Sequence, residues 1–137
     1  KVRLITKRNR GKKLDAIVTE LTLTSRGWFH YFKISESESE FKKLDCWIRR
    51  KIRCYRLKQR KRKYSIQTFL QKLGVPQQQC WNLACSDKGW WRKSLNHAIH
   101  RAMNLQWFES NGIFSLHKAF GKHKTEAAVC DIARTVA

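Results

Sequence analysis

The sequence predicts an all-α fold, a helical bundle with one projecting basic helix followed by a smaller set of short helices. Three observations carry this. Apolar residues recur at the 3.6-residue period in several stretches. No segment alternates apolar and polar residues long enough to make a strand. Hydrophobic residues reach 42% and aromatics 12% of 137 residues, with six Trp, so a packed core is affordable and a disordered basic tail is not indicated.

The first stretch, residues 1–13, is basic and carries a turn signal at Asn9-Arg10-Gly11. A helical period starts at Lys12. Leu14, Ile17, Val18, Leu21, Trp28 and Phe32 fall on one face, so Trp28 and Phe32 are expected in the core. Ser25 and Gly27 lie on or beside that face, and Gly27 is a place for the helix to bend or break. Ser35/Glu38 and Ser37/Glu40 then each spell Ser-x-x-Glu ahead of Phe41, which predicts a capping box.

The second helix is expected over about 38–62. Phe41, Leu44, Ile48, Ile52 and Tyr55 form an apolar stripe. Arg49, Arg53, Arg56, Arg60 and Lys63 form a second stripe, roughly 100° round the helix. Gln59 and Arg62 stand where the apolar stripe would continue. The helix is therefore expected to pack early and then project as a basic arm. From Arg49 to Lys63, ten of fifteen residues are Lys or Arg and none is acidic.

Shorter helices are expected over 64–73, 76–85, 96–110 and 113–120. Gly74-Val75-Pro76 stops one and restarts the next, and Asn111-Gly112 ends the longest. Trp90-Trp91-Arg92-Lys93 is a dense aromatic–basic knot in which one Trp is expected inside and one outside. A weakly amphipathic helix is expected over Thr125–Val136. The charge divides the chain: residues 1–63 carry net +15 and residues 64–137 net +5. This suggests units at 1–63 and 64–120 with a tail at 121–137.

A net charge of +20 repels itself in a compact chain unless a polyanion neutralises it, and nucleic acid is the favoured partner. An anionic membrane surface and acidic proteins are the rivals. No apolar run approaches the roughly 18 residues of a membrane span. Five cysteines without a CxxC pair, and no signal peptide, suggest reduced thiols in a cytoplasmic compartment. The only methionine is Met103, so the chain is expected to be an excerpt of a longer protein.

Cys80, Cys85, His97 and His100 spell C-x4-C-x11-H-x2-H. As a zinc site, the Cys pair is wide for a tight knuckle and the His pair is shorter than the usual three to five residues, and helix packing accounts for both pairs. No two acidic residues are adjacent, so no Asp-Asp pair for two-metal polymerisation is present. Phosphate-loop, nucleophile-elbow and zinc-protease motifs are missing too. No catalytic residue, metal or cofactor is expected in this chain, and it should not polymerise nucleotides by itself.

Several motifs together resemble one family. They are Thr6-Lys7-Arg8-Asn9-Arg10-Gly11, Leu14 to Leu21, Arg26-Gly27-Trp28-x-x-Tyr31-Phe32, and Phe41-x-x-Leu44-Asp45-x-Trp47-Ile48-Arg49-Arg50. This series is similar to the maturase-specific domain of group II intron-encoded reverse transcriptases. Leu73-Gly74-Val75-Pro76, Lys88-Gly89-Trp90-Trp91-Arg92-x-Ser94, His100-Arg101-Ala102, Trp107-Phe108 and Gly112-Ile113-Phe114-Ser115-Leu116 resemble the C-terminal extension of bacterial members. The resemblance covers about residues 3–120.

It implies a helical thumb, or domain X, that binds intron RNA to promote splicing and flanks the template–primer duplex. It also implies an upstream reverse-transcriptase domain whose aspartates would bind Mg²⁺, and target DNA as a further partner. The site of action would be the bacterial cytoplasm or nucleoid, or an organelle. Candidate RNA contacts are Arg8, Arg10, Arg26, Arg49, Arg50, Arg53, Arg56, Lys58, Arg60, Lys61, Arg62, Lys63, Trp90, Arg92 and Lys93. The alternative is a DNA-binding helical domain of a mobile-element enzyme or recombinase.

Overall fold

A computed structural model describes residues 1–7, 9–34 and 37–136, with nine helices and no strand among them. The longest helix is α3 (Glu38–Arg60), 23 residues and so about 34 Å. Phe41, Ile48, Ile52, Cys54, Tyr55 and Leu57 bury its apolar side from the first turn to the last. Among the described residues no helix is long and apolar enough to cross a membrane.

Two helices precede it, α1 (Val2–Ile5) and α2 (Leu14–Phe32). In α2 the buried positions are Leu14, Ile17, Val18, Leu21, Ser25 and Phe29. The expected stripe thus holds to Leu21 and then follows the i+4 row through Ser25 to Phe29. Trp28 and Phe32 are not core residues: each is 39% exposed. Their rings lie 4.6 Å apart, and Trp28 meets the edge of buried Phe41 at 5.7 Å. They roof the core at the open end of the helix instead of filling it. Gly27 neither breaks nor ends α2.

The expected capping box is also corrected. Ser35 lies outside the described residues. Ser37 is the residue before α3, but its side chain caps nothing. Glu40 instead pairs with Lys43, and Glu38 with Lys42 and His117. These partners hold the Glu38 carboxyl below its usual range, Lys42 most strongly.

Beyond α3 the chain turns at Lys61, whose φ of +51° lies in the left-handed region. Helices α4 (Lys63–Lys72) and α5 (Gln77–Cys85) form a hairpin closed by Gly74, where φ of +83° favours glycine. A single turn, α6 (Trp90–Lys93), packs on α3. The helix expected over 96–110 is in fact two, α7 (His97–Ala102) and α8 (Leu105–Ser110). Asn96 and Asn104 cap them, each accepting a backbone N–H at 2.9 Å, and the second cap makes the break.

The last two expected helices are one, α9 (Leu116–Val136), which packs across α3 and the end of α2. Its start is fixed from a distance. Buried Asp45 on α3 accepts from Ser115 Oγ at 2.6 Å, Leu116 N at 3.0 Å and His117 N at 3.1 Å. A carboxylate in the middle of one helix therefore caps the N-terminus of another. One hydrophobic cluster runs through all of this, from Ile5 to Phe120.

Candidate nucleic-acid interface

The basic row of α3 is packed along its length instead of projecting. Arg50 stands over Trp91, its guanidinium carbon 3.7 Å from the ring centre, and donates to the Trp91 carbonyl at 3.1 Å. Lys51 approaches the same ring at 4.8 Å and Trp47 at 5.4 Å. Arg56 and Arg60 both stand over Phe69 of α4, at 5.1 and 5.0 Å. Such contacts hold a guanidinium plane in one orientation without neutralising its charge.

Arg53 departs from the expected exposed stripe. It is 7% exposed and lies over Phe108 at 5.1 Å. Its Nε and Nη2 donate to the Met103 carbonyl at 3.3 and 2.9 Å. Burial, and then the neighbouring Arg49 charge, bring its pKa down to about 10, still charged at neutral pH. This side chain ties α3 to the α7–α8 junction. Lys93, expected on the surface, is likewise buried. Its ammonium reaches the Ala84 carbonyl at 3.5 Å and the Trp90 ring at 5.2 Å.

The remaining candidates divide by place. Arg49, Arg50 and Arg53 border a concavity of about 590 Å³ together with His100. There burial, reinforced by Arg53, His97 and Arg50, pulls the His100 pKa below its usual value. Arg56, Lys58 and Arg60 border a second concavity, of about 680 Å³, with Lys12, Lys13, Gln59 and Ser65. Lys61, Arg62 and Lys63 are exposed at the α3–α4 corner.

Arg10 is drawn away from this group. It pairs with Glu20 at 3.1 Å, as Lys12 does at 3.2 Å, and the two cations hold the Glu20 carboxyl below its usual range. Arg26 sits over Phe114 at 5.6 Å, near the α8–α9 loop. Arg92 is exposed, and Arg8 lies outside the described residues. Trp90 and Trp91 do not split into one inside and one outside. Both are half-buried: Trp90 packs on the core, while Arg50 and Lys51 cover Trp91.

Lys12 and Lys13 are the site residues that sequence reasoning missed. Gly11, with φ of +66°, turns the chain so that this dipeptide reaches α3. The Lys12 carbonyl accepts from Tyr55 Oη at 2.7 Å and Gln59 Nε2 at 2.8 Å, which fixes the loop there. The turn signal was visible; its docking partner, more than forty residues away, was not.

Cys80 is buried with its thiol on the Val75 carbonyl, and burial pushes its pKa up. Cys85 is exposed, and no group of three or more His, Cys, Asp or Glu side chains gathers to hold a metal among the described residues.

An all-helical bundle whose longest helix carries an acid-free run of cations from Arg49 onward defines a basic, helical module. The chain belongs to a particular family: residues 1–74, more than half its length, match the group II intron maturase-specific domain. That match extends through α4 and so includes the whole basic row. No curated protein sequence matches the chain significantly.

Proposed function

We infer that this chain is the RNA-binding maturase module of a group II intron-encoded reverse transcriptase. The observation that carries the reading is the run from Arg49 to Lys63: ten cations, no acid, and only Arg53 among those cations buried. Folding structured RNA brings phosphates close together, and their repulsion opposes the compact state. Cations fixed on a rigid helix relieve that repulsion where helices of the RNA meet. Arginine serves well because its planar fork grips phosphate oxygens in pairs. By this reading the module stabilises the spliceable form of the intron and, in the whole enzyme, lies beside the template–primer duplex. The polymerase chemistry belongs to the upstream domain.

The test is binding of the full chain to an RNA hairpin and to a DNA hairpin of the same sequence, across a salt series. If about six phosphates are neutralised, log K should fall against log salt with a slope of roughly −4 to −5. RNA should bind more tightly than DNA at every salt concentration. Equal or tighter DNA binding would favour a DNA-recognition domain of a mobile-element enzyme and would overturn the RNA reading.

A further inference from the structure

We propose that the concavity between the α1–α2 loop and the C-terminal end of α3 is a preformed cradle for a phosphate of bound RNA, in which Phe69 is the positioning residue. The proposal rests on the RNA-binding reading and specifies where and how the phosphate is held. Lys13, Arg56, Lys58 and Arg60 all border this one space.

The two arginines are the core of the argument. Both guanidinium groups stand over the same ring, Phe69, at 5.1 and 5.0 Å, although like charges repel. Both Nε atoms are buried and have no hydrogen-bond partner among the described residues. Arg56 Nη1 donates to the neutral Gln59 Oε1 at 3.1 Å, neither arginine has an ion pair among the described residues, and the carboxylate on the rim of the space is Asp15. Burial, followed by the Arg60 charge, disfavours the charged form of Arg56, while Asp15 weakly opposes this. Two arginines held together without an anion are an unbalanced arrangement, and an anion placed between them balances it. Phe69 is itself 7% exposed, so its ring is a fixed plate.

The floor of the space is fixed as well. Tyr55 Oη and Gln59 Nε2 both hold the Lys12 carbonyl, which keeps the Lys13 backbone beside the space the arginines border. A phosphate entering here meets charge from two chain segments that folding has already aligned.

The test compares three variants of the full chain for binding to an RNA hairpin over a salt series. Arg56→Gln/Arg60→Gln should bind roughly tenfold or more weakly, with a salt slope flatter by about one to two units. Lys122→Gln/Lys124→Gln removes two charges from α9, away from the cradle, and should lose much less. Phe69→Leu removes no charge. It should bind roughly threefold to tenfold more weakly with the slope unchanged, because orientation and not charge is lost. Equal losses for the two double variants, or full affinity in a folded Phe69→Leu, would overturn the cradle while leaving RNA binding intact.

If Phe69→Leu unfolds, the side-chain Nε–H resonances of Arg56 and Arg60 in the unaltered protein decide the matter. They should shift on adding the hairpin, and unmoved resonances overturn the proposal. Failure of the unaltered protein to bind the hairpin would sink the RNA reading itself.

Discussion

Replacing Asp45 with alanine should destabilise the protein by about 3 kcal/mol. The carboxylate is 4% exposed and accepts three hydrogen bonds, from Ser115 Oγ, Leu116 N and His117 N. Bonds to a charged acceptor contribute roughly 1.5–3 kcal/mol each, but three sharing one group do not add. Removing the buried charge also recovers part of its desolvation cost. Two N–H groups at the start of α9 lose their acceptor, and that of Leu116 lies at a buried residue. For 137 residues, about 3 kcal/mol lowers the melting temperature by roughly 10 °C.

Asp45→Asn keeps one acceptor oxygen but turns an NH₂ toward a donor, so it should cost about half as much. Ser115→Ala removes the bond to Asp45 and the longer one that Ser115 Oγ accepts from Lys118 N at 3.4 Å, and should cost about 1 kcal/mol. Urea titration followed by circular dichroism measures all three. An Asp45→Ala cost below about 1 kcal/mol would show that α9 is held by its apolar contacts and that the cap is incidental.

Phe29→Ala should cost about 3–5 kcal/mol and Trp28→Ala about half that, because Phe29 is 7% and Trp28 39% exposed. Equal losses in urea titrations would show that the roof over Phe41 matters as much as the core beneath it. Arg53→Gln should cost about 2 kcal/mol by leaving the Met103 carbonyl without its fork. The same variant should change the salt slope of RNA binding by less than about half a unit, since the side chain is buried. A full unit of change would place Arg53 on the RNA.

Periodicity made the broad architecture legible. It located α2 and α3, the apolar side of each, and the angular place of the basic row. The Gly74-Val75-Pro76 break was readable because backbone freedom is a local property. An angle round a helix, however, does not say what stands opposite. Arg49 and Arg53 share a stripe, yet Arg53 is buried because the carbonyl of Met103, fifty residues on, lies within its reach. Trp28 and Phe32 have core angles at the end of a helix where neighbouring elements cover them only in part. The Asp45 cap spans seventy residues, so no local pattern announces it. The break at Asn104 is different: it rests on a local cap, which the apolar period running across 96–110 hides.

The joint at Lys12 has a consequence for how this surface can change. Both anchoring bonds, from Tyr55 and Gln59, end on a main-chain oxygen. Every amino acid at position 12 supplies that atom, so substitution there leaves the joint in place. Positions 12 and 13 can therefore change side chain with both of these bonds intact, the exposed Lys12–Glu20 pair being the contact given up. Positions 55 and 59 have no such freedom, because their side chains make the bonds. The fold thus assigns variability to one side of the contact and constancy to the other. Descendants of this chain could retune their grip on different RNAs by drift in a dipeptide while keeping one architecture.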